Sequence, residues 1–251
     1  MPNTSLILGS KPGAIIPPAD VVYAANASAS LYKSEIGKNT HLKVVASAYE
    51  LFHTDGRPKR RLAGVIDSDP NELIVTAERR LIPYLQHLKG TLPQTTLILL
   101  SPQKKRSIFK EIAPLRFPAL SVSAYTRSPT RAVATTASLL KNLFIQRFWD
   151  PDREVPGCFR PSTGAFTLAY ALNEAQPLTT HIVAGIGLSG RTLASQEPDH
   201  NGSSENRAFE PHILADRLFF SAIAQEYTLY STDPAFSSDT GATLISYHSN
   251  Q

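Results

Sequence analysis

The feature that most constrains the fold of this chain is a regular alternation between short aliphatic or β-branched runs and segments with helical periodicity. Such alternation predicts βαβ units, and we expect an α/β fold with a Rossmann-like, mostly parallel sheet and helices on both faces. The run from Thr95 to Leu100 is almost continuously apolar, which predicts a central strand buried on both faces. The predicted strands are residues 5–8, 21–25, 43–48, 73–76, 95–100, 121–124, 181–184 and 228–230, and the predicted helices are residues 79–88, 131–149, 163–174 and 211–226.

Length and composition define the general class of protein. The chain has 251 residues, of which 42% are hydrophobic and 18% are charged, as is typical of a water-soluble globular protein. The sequence contains no apolar run long enough to span a bilayer, and the single cysteine, Cys158, excludes an intrachain disulfide framework. The first residues do not resemble a signal peptide, so we do not expect secretion. We therefore expect a cytoplasmic protein. Residues 1–190 would form the main domain, and residues 191–251 a small lid with the last helix and strand of the same domain.

Two turns built from small residues carry the strongest functional signal. The segments LILGSKPG (6–13) and RPSTGAFTLAYAL (160–172) each combine an apolar stretch, small residues and the start of a helix. Small residues at such a turn let backbone N–H groups approach a phosphate, and the dipole of the helix favours an anion there. Asn26 ends the second strand, and carboxyl ends of neighbouring parallel strands bind ligands together. The candidate binding residues are Gly9, Ser10, Lys11, Asn26, Ser162, Thr163 and Gly164.

Other readings of these turns remain open. Each turn taken alone is compatible with an ordinary strand end, and Ser162 or Thr163 is a good helix N-cap without any ligand. The segment GIGLSG (185–190) follows a predicted strand and matches the dinucleotide pattern G-x-G-x-x-G. The polar residues after it do not predict the helix that this fingerprint needs.

Two pairs of titratable residues are candidates for chemistry. Asp67 and Asp69 form a D-x-D of the kind that holds a divalent ion and a diphosphate, or else an ordinary turn. His212 lies in the first turn of the predicted helix 211–226, with Asp216 four residues later on the same helical face. The positive end of the helix dipole lowers the pKa of a histidine, which favours a neutral base that Asp216 would orient.

Basic residues occur in three runs, RPKRR (57–61), ERR (78–80) and KKR (104–106), and the formal net charge is +4. No aromatic residues interleave with the runs and no nucleic-acid-binding motif accompanies them, so we expect no nucleic-acid partner. The runs either form ordinary solvated surface or attract an anionic partner. Such a partner would be lipid headgroups or a phosphate-bearing glycolipid.

The order of these motifs resembles that of the single-domain bacterial sialyltransferases, which use a CMP-activated donor. In that family the first strand ends on a Gly-Asn-Gly-Pro-Ser turn and the next on an asparagine, as at residues 9–13 and Asn26. A Thr-Ser-Gly turn before a small-residue helix corresponds to residues 162–164, and a strand ending Gly-Ile-Asp corresponds to residues 181–187. The family's histidine at a helix start corresponds to His212.

Three departures separate this chain from the family. Ser10 stands at the position of the turn asparagine, and Gly187 at the position of the aspartate. The tyrosines that bind the donor phosphate in the family are absent here, with Ser189 and a polar segment in their place. A related group of enzymes transfers Kdo, an eight-carbon 2-keto acid, from its CMP form, and it is an alternative assignment.

The resemblance implies a glycosyltransferase that moves a sialic-acid-like 2-keto sugar acid from CMP to a surface polysaccharide or lipooligosaccharide. It implies His212 as the base, with Asp216 as its partner, and donor contacts that extend to Gly187 and Ser189. No cofactor or metal is expected, because the CMP-sugar is a substrate whose leaving group carries one phosphate. Location at the inner face of the membrane and homo-oligomerisation remain open. The alternatives are a metal-dependent NDP-sugar transferase using Asp67 and Asp69, and a non-catalytic nucleotide- or glycan-binding module.

Overall fold

A computed structural model describes residues 3–38, 40–112, 161–176, 178–188 and 211–246, with side chains in the last range described from Asp216 onward. The described strands form one parallel sheet of eight strands, in which the second to fifth strands of the chain lie on one side of the first strand and the sixth to eighth lie on the other. The fold is therefore the expected α/β class with a Rossmann-like parallel sheet. The strands are β1 (Thr4–Leu8), β2 (Val21–Ala25), β3 (His41–Ser47), β4 (Glu72–Thr76), β5 (Thr96–Leu100), β6 (Thr180–Ala184), β7 (Leu229–Ser231) and β8 (Thr243–Leu244).

Helices cover both faces of the sheet, as the sequence predicts. The side chains of each strand alternate between two hydrophobic clusters, because successive residues of a strand point to opposite faces. Ile7 of β1 belongs to the cluster covered by the helices from Pro102 onward, and its neighbours Leu6 and Leu8 belong to the cluster covered by the helices before Pro102. The helices are α1 (Ser28–Leu31), α2 (Ala48–Leu51), α3 (Arg60–Ser68), α4 (Ile82–Thr91), α5 (Pro102–Ile112), α6 (Thr163–Glu174), α7 (Pro211–Glu226) and α8 (Pro234–Thr240).

The path of the chain reverses between β1 and β6, and we call the carboxyl edge of the sheet at this reversal the crevice. From β1 the chain adds strands outward on one side to β5, and it then returns to place β6 on the other side of β1. In open parallel sheets ligands bind at such a reversal, outside the carboxyl ends of the two central strands. The residues that directly follow β1 and β6 therefore occupy the position at which a ligand is expected.

Most predicted elements within the described residues are confirmed. The helices Thr163–Glu174 and Pro211–Glu226 have the bounds that the sequence indicated, and seven of the eight predicted strands fall on observed ones. The predicted helix 79–88 begins as the 3₁₀ turn Arg79–Leu81, and the α-helix starts at Ile82. Pro83 suits the first turn of that helix because its missing N–H would have no partner there. The predicted strand 121–124 and helix 131–149 lie outside the described residues, as does Cys158.

One strand prediction is wrong. β5 is the outermost strand of the described sheet and pairs with β4 alone, although its apolar run indicated a central strand. Side chains of β5 pack against both clusters, with Ile98 and Leu100 on one face and Leu97 on the other. No residue of β5 is fully buried and Leu99 is 37% exposed, so the expected burial of both faces is wrong as well.

Within the described ranges, no helix combines the length and the apolar character that a membrane crossing requires.

Candidate functional site

The N-terminal turn is fixed against the end of β6. The amide of Gly9 donates to the carbonyl of Ala184 at 2.8 Å, and the amide of Lys11 donates to the carbonyl of Gly185 at 2.7 Å. These bonds continue the β1–β6 pairing beyond the strands. The turn after β1 and the turn after β6 therefore form one joined backbone layer at the crevice.

This joined layer depends on two glycines. A Cβ atom at Gly9 would lie 2.3 Å from the carbonyl oxygen of Gly185 and 2.7 Å from Cγ1 of Ile186, so a side chain does not fit. Gly185 itself has a φ of 68°, in the left-handed region that favours glycine. The first glycine of each turn thus serves the close approach of two backbones.

The turn at residues 162–164 begins helix α6 at the carboxyl edge of the sheet. Ser162 is the N-cap, and its Oγ accepts a hydrogen bond from the amide of Ala165 at 3.3 Å. The amides of Thr163 and Gly164 donate to no acceptor within the described residues. Because α6 leads into the amino end of β6, its first turn lies at the carboxyl edge of the sheet. These amides are the donors that an anion at a helix N-terminus uses.

Ile186 brings the two turns together. A Cβ atom at Gly164 would lie 3.6 Å from Cδ1 of Ile186, the same side chain that lies beside Gly9. Ile186 is buried, with 6% of its surface exposed. The Gly9 turn and the Ser162–Gly164 turn therefore flank one apolar side chain, although they are far apart in sequence.

Asn26 follows β2, the neighbour of β1, so Ser10 and Asn26 come directly after adjacent strands. Asn26 has a φ of 52°, and its amide donates to the carbonyl of Val45 at 2.8 Å. Its side-chain Oδ1 is buried and has no hydrogen-bond partner among the described residues. Thr76, at the carboxyl end of β4, likewise has a buried and unpartnered Oγ1. Since buried polar atoms normally find a partner, both oxygens remain candidate hydrogen-bond acceptors for a ligand at the carboxyl edge of the sheet.

Lys11 is engaged with the protein itself. Its Nζ forms an ion pair with Asp233, and its carbonyl accepts a hydrogen bond from the hydroxyl of Tyr32. Asp233 is also the N-cap of α8, where its Oδ1 accepts from the amide of Ala235 at 3.0 Å. In this arrangement the ammonium group holds the N-terminal turn against the segment after β7, and its charge is balanced by Asp233.

Thr163 contacts α2, the short helix that follows β3. Its Oγ1 donates to Oε2 of Glu50 at 2.8 Å, and Oε1 of Glu50 is paired with Arg61 at 2.9 Å. The hydroxyl of Thr163 thus helps to position the first turn of α6 against α2.

Asp216 is buried under the N-terminus of α6. Its Oδ1 accepts a hydrogen bond from the amide of Ser162 at 2.6 Å. Burial raises the pKa of this carboxyl to about 7, and the hydrogen bonds from Ser162 oppose that rise only in part. The carboxyl therefore holds Ser162 in place and titrates near neutral pH.

Three further candidate residues were predicted from the sequence, and the structure describes them only in part. Gly187 lies two residues past the Gly185 turn at the same edge, and Ser189 lies outside the described residues. His212 lies in the first turn of α7, one helical turn before Asp216, and its side chain is outside the described part of the structure.

Asp67 and Asp69 lie away from the crevice. Asp67 is in the last turn of α3 and Asp69 is its C-cap, so the pair precedes the amino end of β4. Of the two interpretations of this pair, the position at the end of α3 fits the ordinary turn. Among the described residues no three histidine, cysteine, aspartate or glutamate side chains form a group that could hold a metal ion.

Several contacts of the site could not be read from the sequence. The pairing of Asp216 with Ser162, of Glu50 with Thr163 and of Asp233 with Lys11 joins residues distant in the chain. For Asp233 the sequence offered one local signal, since Asp followed by Pro is typical of a helix start.

Comparisons of the chain with protein-family models, with curated proteins and with solved structures found no match.

Proposed function

We propose that this protein is a glycosyltransferase that moves a sialic-acid-like 2-keto sugar acid from its CMP form to a glycan acceptor. The observation that carries the proposal is the meeting of two turns around Ile186 at the reversal of the sheet. A nucleoside monophosphate is recognised by such a pair of turns, because backbone amides and a helix N-terminus supply donors to its one phosphate.

The proposed contacts assign a role to each part of the crevice. The amides of Thr163 and Gly164 and the hydroxyl of Ser10 would bind the phosphate of CMP, while Oδ1 of Asn26 accepts a hydrogen bond from the nucleoside or the sugar. Gly187 and Ser189 would lie beside the sugar acid. Lys11 would position the N-terminal turn rather than contact the phosphate, since its ammonium group is paired with Asp233.

The proposed reaction needs one base and a stabilised leaving group. As the acceptor hydroxyl attacks the anomeric carbon, its proton passes to His212 and a new C–O bond forms. The bond between the anomeric carbon and the phosphate oxygen breaks, and its electron pair leaves with CMP. Asp216 supports this step indirectly, because it holds Ser162 and thus the first turn of α6. The CMP-Kdo transferases use a donor of the same class and are the alternative within this proposal.

A non-catalytic nucleotide-binding module is the second candidate. Two observations favour it: the candidate phosphate ligand Lys11 is occupied by Asp233, and Gly187 stands where an aspartate is expected. Both candidates require CMP in the crevice, and they differ only in turnover.

The test of nucleotide binding is a thermal-shift panel with CMP, CDP, UDP and GDP. A ligand at a hundredfold excess over its dissociation constant stabilises the folded state by about 2.7 kcal/mol. We expect a rise in melting temperature with CMP and CDP that UDP and GDP do not reproduce. Equal shifts with all four nucleotides, or none, would contradict the cytidine assignment.

The test of catalysis uses His212→Ala. We expect the variant to keep the CMP-induced rise in melting temperature and to lose transfer from CMP-sialic acid and CMP-Kdo to water or sugar acceptors. Near-normal turnover in the variant would remove the base assignment, and CMP binding without turnover in the unmodified protein would favour the non-catalytic module.

A further inference from the structure

Three helical segments begin with basic residues: α3, which lies between β3 and β4 after the short helix α2, the 3₁₀ turn that follows β4, and α5, which follows β5. The basic pairs are Arg60 and Arg61 in α3, Arg79 and Arg80 in the 3₁₀ turn before α4, and Lys104 and Lys105 in α5. None of these first turns contains an acidic residue. Each segment starts at the carboxyl edge of the sheet, so the basic turns share one side of the molecule.

Two of the three turns are joined by direct contacts. Tyr49, in α2, accepts a hydrogen bond from Nζ of Lys59 at its carbonyl, at 2.5 Å, and one from the guanidinium of Arg80 at its hydroxyl. The guanidinium of Arg80 also lies 5.5 Å from the centre of the Tyr49 ring. The runs 57–61 and 79–80 therefore form one continuous surface. We use the name basic rim for this surface and the start of α5.

The rim has an excess of positive charge. Three of its arginines are paired, Arg57 with Asp55, Arg61 with Glu50 and Arg80 with Glu78. By contrast Arg60, Arg79 and Lys104 are exposed, and within the described residues they form no ion pair.

The position of these cations opposes the preference of helices. The N-terminus of a helix carries partial positive charge, so acidic residues stabilise it and basic residues do not, by about 0.3 to 1 kcal/mol each. Lys59, the N-cap of α3, also makes no side-chain capping bond. Folding stability does not explain why three neighbouring helical segments begin with basic residues. Binding to an anionic surface does explain it.

We propose that the basic rim is a docking surface for an anionic lipid bilayer, which it contacts with the crevice beside it. Cations spread over three helix starts match the distributed charge of a bilayer, where each basic residue near the surface contributes about 1 kcal/mol. Binding of single-stranded nucleic acid uses exposed aromatic rings for stacking. In the rim the Tyr49 ring is covered by Arg80, and the centre of the Tyr84 ring lies 6.2 Å from the centre of the Phe52 ring. Both tyrosine rings are therefore already in contact with protein side chains. This proposal does not depend on the transferase assignment.

The test measures cosedimentation of the full chain with mixed phosphatidylcholine–phosphatidylglycerol vesicles and with pure phosphatidylcholine vesicles. We expect binding to the mixed vesicles alone at about 0.1 M salt, with release at about 1 M, because the screening length falls from about 10 Å to about 3 Å. The triple variant Arg60→Glu, Arg79→Glu and Lys104→Glu should bind the mixed vesicles at least about a hundredfold more weakly.

The matched control reverses three exposed lysines on the opposite side of the sheet, at Lys38, Lys89 and Lys110. Its net charge equals that of the rim variant, and we expect it to retain most of the vesicle binding. The rim variant should also melt no lower than the unmodified protein, because glutamates at helix starts are favourable. Equal loss of binding in both variants, or no preference for phosphatidylglycerol, would overturn the proposal. So would tighter binding of a labelled RNA than of the vesicles.

Discussion

At the scale of single residues, Asp216 is the group whose chemistry the fold changes most. Burial raises the pKa of its carboxyl to about 7, whereas an unfolded aspartate titrates near 4. Because the folded state holds this proton more tightly, the stability that Asp216 contributes is present at low pH and is lost as the pH rises through about 7. A shift of this size corresponds to about 4 kcal/mol in the free energy of unfolding.

The variant Asp216→Asn should therefore gain stability relative to the unmodified protein as the pH rises. Asparagine keeps an oxygen that accepts from the Ser162 amide but does not ionise. The free energy of unfolding of the variant minus that of the unmodified protein should be larger at about pH 8 than at about pH 5, by about 2 to 3 kcal/mol. Urea unfolding of both proteins at the two pH values measures this change. Parallel stability curves for the two proteins would show that the carboxyl has an ordinary pKa.

The pKa of His181 is lowered by burial, whereas that of Asp216 is raised. The stability of the unmodified protein therefore has to be compared with that of Asp216→Asn at each pH. Nδ1 of His181 lies 2.6 Å from Oγ of Ser5, and burial lowers the pKa of the imidazole to about 4. The unfolded state then takes up protons that the folded state does not, so stability falls as the pH drops below about 6.5. Since His181 is present in both proteins, its contribution cancels from the difference that isolates Asp216.

At the scale of elements, the contact between β1 and β6 is the joint on which the crevice depends. We expect Gly9→Ala to destabilise the protein by about 3 kcal/mol, at the upper end of overpacking costs, because the new methyl group meets the backbone of Gly185. The same variant should lose the CMP-induced rise in melting temperature. Urea unfolding measures the first effect and thermal shift the second.

Gly90→Ala is the matched control for this glycine. Gly90 lies in α4, and a Cβ atom added there would have no neighbouring atom of the described residues within 4 Å. Alanine also favours helix over glycine by up to about 1 kcal/mol. This variant should be at least as stable as the unmodified protein and should bind CMP normally. If Gly9→Ala behaved in the same way, the close approach of the two turns would have no consequence for the site.

Local patterns predicted the elements better than they predicted neighbours. The capping residue Ser162 and the small residues of α6 mark that helix in the sequence, and its bounds were predicted correctly. β8 was missed because it has only two residues, both exposed. The place of β5 at the edge of the described sheet depends on contacts with β4 and with residues distant in the chain. For the same reason the sequence indicated both turns of the site, but not the partner of Asp216.

At the scale of the whole molecule, the crevice is the place where the two halves of the sheet meet. Strands β2 to β5 continue from one side of β1, and β6 to β8 continue on the other side. The N-terminal turn, the first turn of α6 and the end of β6 come from three separate parts of the chain. A ligand that binds in the crevice would therefore stabilise all three together, whereas a ligand bound to one turn would not.

Hydrogen exchange with and without CMP tests this prediction. We expect slower exchange at the amides of residues 9–14, 162–166 and 184–188, because a bound phosphate contacts the turns and rigidifies the layer between them. The amides of residues 66–71, around Asp67 and Asp69, should exchange at an unchanged rate, since they lie at the opposite edge of the sheet. A metal-dependent enzyme that used this aspartate pair would show the reverse pattern with a nucleoside diphosphate and Mn²⁺. Protection of the N-terminal turn without the start of α6 would mean that the two turns do not share a ligand, and the CMP assignment would then fail whatever the affinity.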